Sequence, residues 1–91
     1  MSHTIHQKDK LIARVRRLRG QLEGIERALE GEVGCTEILR QLASVRGALG
    51  GLTAEVMEDH LRHHVARPDL NEAERRSGAD ELIAIIRRYS K

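Results

Sequence analysis

Leu11, Val15, Leu18, Leu22, Ile25 and Leu29 recur at spacings of 4, 3, 4, 3 and 4, and Ile38, Leu42, Val45, Leu49, Leu52 and Val56 repeat that series. Alternating three- and four-residue steps keep apolar side chains on one narrow stripe of an α-helix, the seam along which helices pack nearly parallel or antiparallel. The first series predicts a helix over about residues 5–29, opened by Thr4-Ile5-His6-Gln7 read as a capping box. The second predicts a helix from about Cys35 to Val65, ended by Arg67-Pro68-Asp69 because proline cannot continue it. Gly31 and Gly34 bracket the break between the two. A third helix carries Leu82, Ile83, Ile85, Ile86 and Tyr89, with its start either near Asn71 or after Gly78. No segment alternates with the period of a strand, so the fold class is all-α.

A break of about five residues makes the first two helices an antiparallel hairpin. Two helices with one seam each cannot enclose a core, whereas two such hairpins can, as a four-helix bundle across a dimer. Gly20, Gly24, Gly47, Gly50 and Gly51 fall inside the predicted helices, where each costs roughly 1 kcal/mol relative to Ala. Close backbone approach or a local kink would account for them.

With 91 residues the chain reads as a single domain over residues 1–91. A domain of that size buries only about 60–65% of its unfolded surface, so it needs further stabilisation. Cys35 is the sole cysteine, which excludes an internal disulfide and leaves oligomerisation or metal binding. A lone thiol, with no apolar run behind Met1-Ser2-His3-Thr4, points to the cytoplasm and away from membranes.

Charge changes the picture more than composition does. The net charge is +2, yet Lys8 to Arg19 hold six basic residues against one acid, Asp9. Lys10, Arg14 and Arg17 follow 4, 3 spacing beside the apolar seam, with Arg16 further round. Charges flanking a seam are ordinarily a solvated face, but this excess of cations is the footprint of a nucleic-acid binder. Tyr89 is the only aromatic residue, so base stacking on single strands is excluded and double-stranded DNA is the expected partner. Helices of about 25 and 30 residues do not make a helix-turn-helix, so phosphate contacts and DNA shape must carry recognition.

The metal-ligating residue types are His3, His6, Cys35, His60, His63 and His64. His60 and His64, four apart, share a helical face and can meet one ion. The hairpin places His3 beside them. Cys35 is 25 residues from His60, about 37 Å along one helix, so its thiolate can join only from a second chain running head to tail. His63 continues the seam register and reads as interfacial or solvated, and His6 as an outer candidate. No Ser/His/Asp set, phosphate loop or placed carboxylate pair suggests an enzyme or a small-molecule substrate.

These residues resemble the CsoR/RcnR family of bacterial metal- and formaldehyde-responsive repressors. The resemblance spans nearly the whole chain and rests on Arg14-Val15-Arg16-Arg17-Leu18-Arg19-Gly20-Gln21, Cys35, Val45-Arg46-Gly47-Ala48, Gly51-Leu52 and Glu55 through His60. It implies a three-helix protomer, a dimer-of-dimers tetramer, and an effector-free form that binds operator DNA and lets go when loaded. It also implies that Arg14 and Arg17 touch DNA, with Arg46 a further candidate. The family's copper branch places a second cysteine where this chain has His64. One thiolate with several imidazoles suits Ni(II), Co(II) or Zn(II) better than Cu(I). His3, Cys35, His60 and His64 look like the nickel/cobalt branch, in which the N-terminal amine, here on Ser2 after Met1 removal, adds a ligand. Formaldehyde sensors of the family share Cys35 but use a proline at position two. Ser2 departs from that pattern and makes an aldehyde sensor, using Cys35 and the N-terminal amine, the runner-up. A helical DNA-associated protein without any effector is the remaining reading.

Overall fold

The computed structural model describes residues 7–89 and contains, among them, three α-helices and no strand. They are α1 (Lys8–Glu30), α2 (Cys35–His64) and α3 (Glu72–Tyr89), the all-helical, three-helix protomer that the spacing implies. No helix among the described residues is long and apolar enough to cross a membrane.

The helix ends differ from expectation in instructive ways. The α-helix opens at Lys8, later than residue 5, with Gln7 as N-cap and no side-chain capping bond. Thr4, on which the anticipated capping box rests, lies outside the described residues. At the other end of α1, Val33 N–H donates to Ala28 O at 3.0 Å and Glu32 N–H to Leu29 O at 3.2 Å. This is the Schellman arrangement, in which the residue after the C-cap takes the left-handed conformation and glycine is favoured there. The cap itself is Gly31, with φ −82°. The left-handed position falls on Glu32, with φ 56°, so glycine sits one residue too early to relieve the strain.

Two starting points were open for α3, and the structure selects the earlier. Asn71 Oδ1 accepts from Glu74 N–H at 2.8 Å, and Glu74 Oε1 accepts from Asn71 N–H at 2.9 Å. Asn71-Glu72-Ala73-Glu74 is therefore a capping box, and its reciprocal bonds satisfy two otherwise orphaned donors. Gly78 lies inside the helix rather than before it.

Two compact units divide the chain, with α2 running through both. In the unit Gln7–Thr53, α1 and the first part of α2 are antiparallel. Gln21 Nε2 donates to Ser44 Oγ at 3.4 Å, and seven residues back along α1 the Arg14 guanidinium lies 3.0 Å from where a Cβ on Gly51 would stand. Each apolar seam splits into two seven-residue columns. Leu18 and Ile25 are buried, and Leu11, Ile38, Val45 and Leu52 are half-buried. The alternate members Val15, Leu22, Leu29, Leu42 and Leu49 are exposed, Leu22 at 53% and Leu49 at 52%. One hairpin thus uses half of its seam. Burying each remaining side chain would contribute on the order of 1.5–3 kcal/mol.

In the unit from Ala54 onward, α3 rides on the last turn of α2. A Cβ on Gly78 would collide with the His64 carbonyl oxygen and stand 2.8 Å from its carbonyl carbon. Only glycine permits backbone to approach backbone so closely. Arg75 secures the junction, donating to Val65 O at 2.5 Å, Leu70 O at 3.0 Å and Arg67 O at 3.3 Å. Those carbonyls lie past the last helical turn, where no intrahelical donor reaches them.

Relieving the left-handed strain at Glu32 should stabilise the protein. Glu32→Gly is expected to raise the unfolding free energy by about 0.5–1 kcal/mol, read as a higher urea midpoint at unchanged slope.

Candidate metal centre and nucleic-acid face

The end of α2 and the start of α3 enclose a cavity of about 590 Å³ lined by His60, His63, His64, Glu74, Ser77 and Glu81 among others. The i, i+4 spacing of His60 and His64 puts both rings on one side of α2, where they stack with centroids 4.8 Å apart and planes at 30°. His60 Nε2 lies 2.9 Å from the Gly78 carbonyl oxygen and 3.7 Å from Glu81 Oε1. A carbonyl can only accept, so Nε2 carries the proton and Nδ1 holds the lone pair. Fixing one ring nitrogen on a carbonyl is how proteins orient a ligating histidine and raise its basicity.

His63 is held in a comparable way. Its Nδ1 donates to Asp59 O at 2.9 Å and lies 3.3 Å from Asp59 Oδ1. Asp59 is 5% exposed, and its Oδ2 is buried without a hydrogen-bond partner. His63 therefore lines the cavity, half-buried, where the seam register suggested an interfacial or solvated residue.

The structure brings together His60 and His64 from the expected ligand set. Cys35 is exposed at the first residue of α2, in the other compact unit. Ser2, His3 and His6 lie outside the described residues. Among the described residues no three His, Cys, Asp or Glu side chains converge on one point. The donor chemistry nevertheless fits a borderline divalent ion, since neutral imidazoles with a fixed second nitrogen are its usual ligands.

The basic residues separate into two groups. Arg16, Arg17, Arg19 and Arg46 are exposed, and among the described residues none of them makes an ion pair or side-chain hydrogen bond. On α1 this holds although Glu23 and Glu26 stand on the same helix. Lys10 and Arg14, by contrast, are engaged elsewhere, and Arg14 is half-buried over Gly51. Arg46 stands on the outer face of α2, in a groove with Leu39, Leu42, Ala43 and Gly47.

Sequence reasoning overlooked Arg75 and the burial of Asp59, and it noted Gly51 and Gly78 without tying either to these sites. The glycines carried a readable signal, because a glycine inside a helix asks for a packing reason. Gly51 and Gly78 have one, while Gly20, Gly47 and Gly50 meet nothing within 4 Å in the single chain. No sequence pattern marks Asp59 as buried.

The family described as metal-sensitive transcriptional repressor matches residues 7–88 of this chain. A Serratia marcescens protein, named for its position in the bioA 5′ region, is 46% identical over 91 residues, the full length of both chains. The transcriptional repressor RcnR of Salmonella paratyphi B is 36% identical, again over the full length of both. Among solved structures, a glutamate-to-histidine variant of the formaldehyde-responsive regulator FrmR from Salmonella enterica serovar Typhimurium is similar at a TM-score of 0.87 and 40% identity. That match covers 97% of this chain and 99% of the other.

Gly78→Ala tests the contact that shapes the cavity. Against the usual gain of about 1 kcal/mol for replacing a helical glycine, this substitution should destabilise by about 1–3 kcal/mol through overpacking. Nitrogen NMR of His60 should also report a changed tautomer balance as its carbonyl partner is displaced.

Proposed function

This chain belongs to the metal-sensitive transcriptional repressors, a family of regulators and not of enzymes, and from that premise we propose that it holds operator DNA when ion-free and releases it on binding Ni(II) or Co(II). The observation that carries the reading is the His60–His64 pair, with His60 Nε2 tied to the Gly78 carbonyl. His60 and His64 supply two imidazoles, Cys35 of a second copy supplies a thiolate, and His3 with the Ser2 amine completes the set. One sulfur among several nitrogens is too hard for Cu(I), and it suits Ni(II) and Co(II), with Zn(II) also accommodated.

The chain's own residues connect that site to α3. While His60 keeps its Nε2 proton on Gly78, it can coordinate only through Nδ1, so loading and the seating of α3 become one event. The exposed column Val15, Leu22, Leu29, Leu42 and Leu49 is the face a second copy covers, giving a dimer and then a dimer of dimers. A site completed by Cys35 from the neighbour makes the ion a clamp across that interface. Such a clamp biases the relative placement of the basic faces, which is what a two-state switch requires. Arg16 and Arg17 neutralise operator phosphates, with Lys10, Arg14 and Arg46 assisting. The whole works in the cytoplasm as one domain.

A formaldehyde-responsive repressor is the second reading. The 40% identity to a formaldehyde-responsive regulator and the exposed Cys35 thiol favour it, while Ser2, where a proline would be expected, argues against it. Treating the protein with formaldehyde and mapping adducts by mass spectrometry separates the two. A cross-link joining Cys35 to the N-terminal amine would establish the second and displace the first.

Two measurements test the leading proposal. Titrating DNA-bound protein with Ni(II) or Co(II) should release the DNA at about one ion per chain, with a thiolate-to-metal charge-transfer band that Cys35→Ala removes. Continued DNA binding under saturating metal would reject it. Arg16→Ala and Arg17→Ala should each reduce the slope of log affinity against log salt by about 0.9, and unchanged slopes would remove those residues from the interface.

A further inference from the structure

One side of α2 is covered at one end and bare at the other. Steps of four and three residues lead from Leu39, Ala43 and Arg46 to Met57, His60 and His64, so all six share that side. At the C-terminal end it carries α3, where Gly78 packs on the His64 carbonyl and accepts from His60 Nε2 at 2.9 Å. At the N-terminal end it is an open groove of about 570 Å³, lined by Leu39, Leu42, Ala43, Gly47 and the exposed Arg46. The packing stripe of α3 is divided in the same way. It runs through Arg75, Gly78 and Leu82 to Ile85 with Ile86, and then Tyr89. Gly78 is buried and Arg75 and Leu82 are half-buried, whereas Ile85, Ile86 and Tyr89 are 42%, 45% and 65% exposed. Each chain thus offers a bare apolar groove and a bare apolar stripe, which a second copy can close against each other.

We propose that the C-terminal half of α3 docks in the α2 groove of a second copy, with Ile86 over Ala43 and Tyr89 over Arg46. This rests on the head-to-tail pairing of the reading above, which sets Cys35 of one copy level with the His60–His64 pair of the other. That pairing fixes the register. Arg75 meets Val65, Gly78 meets His64 and Glu81 faces His60, so α3 runs antiparallel to its own α2. It therefore runs parallel to the α2 of the second copy, with Gly78 level with that copy's Cys35. At about 1.5 Å per residue along both helices, Ile86, eight residues on, comes level with Ala43, and Tyr89, eleven on, with Arg46. The chemistry agrees with the register. Leu39, Leu42 and Ala43 give the two isoleucines an apolar floor, and Gly47 has no side chain to block them. Tyr89 is the chain's only aromatic residue and Arg46 is the cation of the groove. A guanidinium over a tyrosine face is attracted by the ring quadrupole. The last carbonyls of α3, its negative end, fall beside the same cation, while Arg87 and Arg88 lie on the two flanks of the stripe, away from it. Stacking leaves the N–H edge of Arg46 free for an operator phosphate. Docking also ties the helix that holds His60 to the chain that supplies Cys35.

Disulfide trapping in the full-length protein tests the docking. In a Cys35→Ser background, chains carrying Ala43→Cys and chains carrying Ile86→Cys are co-expressed and mildly oxidised. A covalent heterodimer should be the major linked species, because the two Cβ atoms come within disulfide reach. Glu23→Cys on α1, paired with Ile86→Cys, should stay unlinked, and equal linking of that pair would mark random collision and overturn the inference. Tyr89 fluorescence gives a readout that needs no added cysteine. A docked ring loses about half of its solvent contact, so acrylamide should quench the assembled parent about twofold less than Ala43→Arg, whose groove is filled. Ala43 is exposed in the single chain, so that substitution leaves the protomer folded, as helicity by circular dichroism should show. Equal quenching of the two proteins counts against docking. No heterodimer in a protein that sediments as an oligomer overturns the inference alone, and is the result expected if residues 1–6 or a different protein cover the groove. A protein that sediments as a monomer overturns the head-to-tail reading and this inference with it.

Discussion

The unit from Ala54 onward depends on one approach of backbone to backbone, α3 seated on the last turn of α2 at Gly78. No side chain at position 78 could be accommodated, because an added Cβ would occupy the space of the His64 carbonyl. The contact delivers the Gly78 carbonyl to His60 at 2.9 Å and shapes the cavity that three histidines line. Arg75 makes the arrangement durable by bonding the carbonyls of Val65, Arg67 and Leu70 where α2 gives way to the turn. A histidine held this way has one coordinating nitrogen left, so ligand chemistry and helix packing are decided by the same hydrogen bond.

The second constraint is that one chain has more apolar surface than partners for it. Among the described residues only Leu18, Ile25 and Ala28 are buried apolar residues, far fewer than a 91-residue domain needs for stability on its own. The seam is divided by its own period: of each pair of positions per heptad, one turns into the hairpin and the other turns out. A protein built this way is stable as an assembly, and family membership implies both oligomerisation and DNA binding. Assembly can also bring together groups that a single helix holds apart, such as Cys35 and His60 at opposite ends of α2.

Electrostatics sorts the basic residues more finely than position alone. Among the described residues Arg16 and Arg17 make no ion pair, so each can exchange counterions for phosphate at little internal cost. Arg14 is laid against Gly51, so bringing it to DNA first requires breaking the contacts that hold it. The relatives include both a transcriptional repressor and a formaldehyde-responsive regulator. Family membership thus settles the regulatory role, while the choice between a metal and formaldehyde as effector is not fixed by it.

Periodicity determined the two long helices and their apolar seams, and the short break between them the antiparallel hairpin, because spacing along the chain survives any packing. The type and spacing of His60 and His64, and the run of arginines on α1, were equally legible, since helical faces follow from numbering. What tertiary structure decided was everything set by contact between elements. It placed α3 from Glu72, on a cap of Asn71 and Glu74, and put Gly78 inside that helix as a point of close approach rather than a break. It buried Asp59 beneath His63 and chose which nitrogen of His60 carries the proton. The Asn71 cap is a local pattern that only chose between two legible starts, but the other outcomes depend on which atoms from separate elements meet, and local sequence holds no record of that.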